Sequence, residues 1–74
     1  MTYLHVTETS HNDVIVAASD EQSLAVIRDE VSLHGYRVGP VQHTPDGFRF
    51  AARSDEPGKV REFLMGLDDV QVTA

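Results

Sequence analysis

Seventy-four residues without a cysteine leave room for one domain and exclude a disulfide framework, thiol catalysis and cysteine–zinc sites. Twelve acidic against six basic residues give a formal net charge of −6, which disfavours attraction to nucleic acid or anionic lipid by bulk charge. No apolar run approaches the roughly 20 residues of a membrane span, and residues 1–8 lack the basic start and apolar stretch of a signal peptide, so a cytoplasmic protein is expected.

Residues 2–7 alternate, with Leu4 and Val6 on one face and Tyr3, His5 and Thr7 on the other. This predicts a short strand at a sheet edge. A polar break over residues 9–13 precedes Val14-Ile15-Val16-Ala17-Ala18, an unbroken apolar run that suits a central strand. Ser19, with Gln22 three residues on, predicts a capped helix start. Leu24, Ile27 and Val31 form an apolar stripe, and Gly35 supplies the stop, giving a helix over residues 20–34.

Tyr36-Arg37-Val38 begins the next strand, Gly39-Pro40 interrupts it, and Val41-Gln42-His43 resumes it. Proline cannot donate to a ladder, so a bulge or sheet edge is expected there. Thr44-Pro45-Asp46-Gly47 predicts a tight turn into a strand over residues 48–53. On that strand Phe48, Phe50 and Ala52 share one face, and Arg49, Ala51 and Arg53 share the other. Ser54-Asp55-Glu56-Pro57 reads as the opening of a second helix, with proline in its first turn. Val60, Phe63, Leu64 and Leu67 supply its apolar stripe, and Val70–Thr73 is a closing strand.

From residue 14 the order is βαββαβ. The expectation is a ferredoxin-like α+β domain spanning residues 1–74, in which residues 1–13 add an extra N-terminal strand and turn to a core of residues 14–74. Two helices would cover one face of a four-stranded antiparallel sheet. The residues Val14-Ile15-Val16, Ser23-Leu24-Ala25-Val26-Ile27, His34-Gly35-Tyr36-Arg37-Val38 and Phe63-Leu64-Met65-Gly66-Leu67-Asp68-Asp69-Val70-Gln71-Val72 resemble an ACT-type regulatory domain. That resemblance covers about four fifths of the chain and implies dimers and small-ligand control of a partner enzyme. It departs at Asp20-Glu21-Gln22-Ser23, where amino-acid-binding members place a glycine at the helix start.

If Phe48 and Phe50 point inward, Arg49 and Arg53 point outward, and Arg37 joins them on the uncovered face. Guanidinium groups there suit a carboxylate, a phosphate or an acidic partner surface; cross-strand pairing with local acids is the alternative account. Gly47-Phe48-Arg49-Phe50 echoes the aromatic strand of RNA-recognition domains. Asp46 stands where that motif is basic, and the run 14–18 offers no aromatic partner, so both phenylalanines are expected in the core. His5, His11, His34 and His43 have no ligand spacing, so no metal or cofactor is expected. Ser10-His11-Asn12-Asp13 is contiguous and cannot form a nucleophile–base–orienter geometry. The adjacent acid pairs do not face one another on a helix, which disqualifies them as catalytic dyads.

The expectation is therefore a non-enzymatic regulatory or interaction module, homodimeric, binding a protein partner or small anionic ligand, with Arg37, Arg49 and Arg53 as its contact residues. The rivals are an acidic inhibitor of the phage type that imitates nucleic acid, and a small dimeric ferredoxin-like enzyme.

Overall fold

Local chemistry sets the ends of the first helix. In the computed structural model, which describes residues 1–73, this helix, α1, runs Glu21–Leu33. Asp20 is its cap in place of Ser19: one carboxylate oxygen accepts from the Ser23 amide at 2.8 Å and the Ser23 hydroxyl at 2.6 Å. Those bonds, the hydroxyl's first, hold the Asp20 carboxyl below its ordinary value of 3.8. At the other end Gly35 takes φ +102°, its amide donating to the Ser32 carbonyl and that of Tyr36 to the Val31 carbonyl. These two bonds form a Schellman motif.

The strands are β1 Thr2–Glu8, β2 Asp13–Ala18, β3 Arg37–Val38, β4 Gln42–Thr44, β5 Gly47–Arg53 and β6 Val70–Thr73, with α2 at Lys59–Met65 between the last two. They form one mixed six-stranded sheet in the order β3-β5-β2-β1-β6, with β4 also on β5. The expected four-stranded antiparallel sheet with β1 at an edge is thereby corrected. β1 lies inside the sheet, antiparallel to β2 and parallel to β6. Its Leu4 and Val6 are each 1% exposed, so β1 contributes to the core. The last residue of the expected core, 74, lies outside the described residues.

The interruption at Gly39-Pro40 is a bulge. Val38 faces Ala52 and Gln42 faces Arg49, so the β3–β4 side holds one residue more than β5 between those pairs. The Gly39 amide donates to Ala51, and the Arg28 Nε of α1 donates to the Gly39 carbonyl. At the β4–β5 turn a Cβ on Gly47 would lie 2.5 Å from the Ala18 carbonyl oxygen. A side chain there would push apart the turn and the end of β2.

The second helix starts later than its sequence signals suggest. The Ser54 amide donates to Asn12 and its hydroxyl to the Glu56 carbonyl, tying residues 54–56 into a turn. Gly58, at φ +74°, is the residue from which α2 departs. Pro57 therefore sits before the helix.

Both helices press on one face of the sheet. Leu24, Ile27 and Val31 of α1 and Val60 and Leu64 of α2 meet Leu4, Val6, Val14, Val16, Phe50 and Ala52 in one core. Phe63 is at its margin, stacked on the His34 ring with centroids 4.3 Å apart. Phe50, fully buried, is the central aromatic. Phe50→Ala is expected to cost about 3–5 kcal/mol in a denaturant melt, and Phe63→Ala distinctly less; equal losses would contradict this placement of the core.

Candidate functional site: the uncovered sheet face

Strand alternation sends every second side chain to the face without helices. Tyr3, His5 and Thr7 come from β1, Ile15 and Ala17 from β2, Arg49, Ala51 and Arg53 from β5, Arg37 from β3, and Gln71 and Thr73 from β6. Three of the six basic residues of the chain thus share one face, with Asp13 of β2 as a neighbouring acid.

The three arginines are not equivalent. Arg37 stands directly opposite Arg53 across the β3–β5 pair. Arg49 lies two same-face positions from Arg53, about 13 Å along the strand, between Gln42 and Ala17. Arg53 is also opposite Asp13, and its Nε lies 3.2 Å from the Asp13 carboxylate. That carboxylate accepts from the Ser10 hydroxyl at 2.9 Å as well, so the β1–β2 turn fixes the group that orients Arg53. Arg37 and Arg49 have no ion pair among the described residues. Like charges directly opposite destabilise a sheet, so Arg37 is a liability that Asp13 offsets only through Arg53.

Three open depressions border these residues; the smallest, of about 300 Å³, is lined by Asp13, Arg37 and Arg53. Another, of about 520 Å³, lies toward the β4–β5 turn end of this face, lined by Ile15 and Ala17 with Tyr3, His5, Arg49, Thr73 and the acid Asp46 around them. Ile15 and Ala17 are half-buried while Tyr3 and Arg49 stand exposed beside them, which makes it a trough. Tyr3 stands 67% exposed at one end. The third, of about 710 Å³, is at the β3 edge, where Lys59 joins Arg37 and Arg53 beside Asp55 and Glu56. Lys59 lies 3.7 Å from Glu56.

The remaining polar groups are dispersed. His5 Nδ1 lies 3.4 Å from the Thr73 hydroxyl, His43 is against Phe48, and His34 is stacked on Phe63. No group of three or more potential metal ligands occurs among the described residues. No helix of the described residues is long and apolar enough to cross a membrane.

No family model, curated protein or solved structure matches the chain.

Several of the acids are engaged close by: Asp20 in the helix cap, Glu8 with Arg61, Glu56 with Lys59, Asp29 with Arg28. Sequence reading passed over Tyr3, Thr73 and Lys59 as part of these surfaces. For Tyr3 the signal was its alternation with Leu4; for Lys59 there was none, because it comes to the same depression as Arg37 only through the turn before α2. Arg37→Gln is expected to raise thermal stability at low ionic strength by roughly 0.2–1 kcal/mol and to lose that gain in high salt. A loss of stability at low salt would show that Arg37 has a partner which this geometry lacks.

Proposed function

We propose that the chain is a small non-enzymatic regulatory or interaction module, homodimeric and cytoplasmic, whose uncovered sheet face binds an acidic protein surface or a small anionic ligand. The observation that carries this reading is the gathering of Arg37, Arg49 and Arg53 on one uncovered face of a chain whose net charge is −6. Guanidinium forks match carboxylates and phosphates. The trough beside Arg49 adds apolar contact through Tyr3, Ile15 and Ala17, which a folded partner fills better than a bare ion. The same charges repel a second copy presented face to face, so this face suits a foreign partner.

The fold relation that supports this reading is ferredoxin-like with one strand intercalated. Without β1, the order would be that of a βαββαβ sheet, and β6 still runs antiparallel to β2 because it parallels β1 while β1 opposes β2. From the ACT-like resemblance we carry over dimer formation and control of a partner. Amino-acid sensing is not carried over, since Asp20 fills the helix start and its carboxylate is engaged with Ser23.

The test is a ¹H–¹⁵N NMR titration with an amphipathic peptide of alternating leucine and glutamate and, separately, with inorganic phosphate. Shifts are expected at Ala17, Arg37, Arg49 and Ala51, weakening with salt and lost in Arg49→Glu/Arg37→Glu. Shifts confined to the helix side, or binding that survives the double change, would overturn the reading.

A further inference from the structure

The two edges of the sheet are built differently. The β3–β4 edge is interrupted by the Pro40 bulge and carries Arg37 and His43. Prolines, charges and bulges of this kind discourage strand addition. The β6 edge, Val70-Gln71-Val72-Thr73, has no proline and no charge.

The direction of its free backbone groups can be fixed. The Thr2 amide donates to the Asp69 carbonyl at 2.7 Å, and Thr2 faces Val70 in the parallel ladder. In a parallel pair, alternate residues of a strand turn both backbone groups to the same neighbour. Gln71 therefore turns its N–H and C=O toward β1, and Val70 and Val72 turn theirs to the open edge. Val70-Gln71-Val72 reads the same in both directions. A two-fold axis at Gln71 sets Val70 opposite Val72 of a second copy, and in an antiparallel pair two such residues exchange both of their bonds. Four main-chain bonds close and use every outward backbone group of Val70 and Val72. The half-buried Val70 and Val72 side chains then meet on the helix side, and the two Gln71 amides meet on the open face. The same register keeps the Asp69 carboxylates at opposite ends of the seam.

We propose that β6 is the self-association strand: two copies join antiparallel, with Gln71 opposite Gln71, into one continuous sheet. This deepens the homodimer part of the reading above by naming its surface. It does not depend on the arginine face, which stays free on both copies. A four-residue strand with its flanking side chains belongs among small interfaces, below about 1,200 Å², so the dimer is weak and concentration-dependent.

The test uses sedimentation equilibrium on the full chain up to millimolar concentration, with Gln71→Glu, Gln71→Lys and an equimolar mixture of the two. Gln71 is exposed and on the open face, so each variant keeps the monomer fold, checked by its thermal melt. The expected result is a wild-type dimer, loss of that dimer in each single variant at the same concentrations, its return in the mixture, and no change in Arg49→Glu/Arg37→Glu. A wild-type monomer throughout, single variants that still dimerise, or a mixture that stays monomeric would each overturn the proposal. None of these results touches the peptide titration, so the two readings fail separately.

Discussion

Backbone hydrogen bonding leaves an interior strand no free side, and β1 is interior here. It binds β2 on one flank and β6 on the other, and it supplies Leu4 and Val6 to the core. Removing it would detach β6 and with it the base on which α2 packs. Its position also decides which backbone groups of β6 face outward, because the bond from Thr2 to Asp69 fixes the phase of that ladder. Both helices pack on the same side of the sheet. One face is consequently left to polar and small side chains.

Charge is segregated accordingly. Asp13 and the arginines mark the open face, whereas the helices and the loops around them carry most of the acids, several in local pairs. Exposed pairs of that kind contribute about 0–1 kcal/mol each, so they keep the surface soluble more than they hold the fold. Arg37 and Arg53 stand opposite each other at a cost that packing does not require. The cost makes sense if a carboxylate or phosphate from elsewhere sits between them. In the two proposals above, the open face is assigned to a foreign acidic partner and the β6 edge to a second copy.

What was legible in the sequence was local. Gly35 ends α1 where a positive φ is needed, and Pro40 marks the bulge because a missing donor is a property of one residue. The alternation of Phe48-Arg49-Phe50 assigned the faces of β5 because the strand period is two. What was not legible depended on partners distant in the chain. The flanks of β1 are set by β6, nearly the whole chain away, and an alternating segment looks the same inside a sheet as at its edge. The start of α2 was misread because Pro57 is a good first-turn residue in isolation, while the Ser54 bonds and the left-handed Gly58 act from outside that signal. Ser19 lost the α1 cap to Asp20: both side chains can accept, and the Asp20 carboxylate is the one that meets the Ser23 amide. The arginines could be assigned to a face, but not to neighbours, because the bulge sets the register that brings Arg37 opposite Arg53.

The most direct measurement is amide hydrogen exchange, residue by residue, on the dilute monomer. An interior β1 protects successive amides, Leu4 through β6 and His5 through β2, and protects Gln71 while Val70 and Val72 exchange quickly. Fast exchange at Leu4 beside a protected His5 would put β1 at an edge, and both the uncovered face and the β6 seam would have to be redrawn.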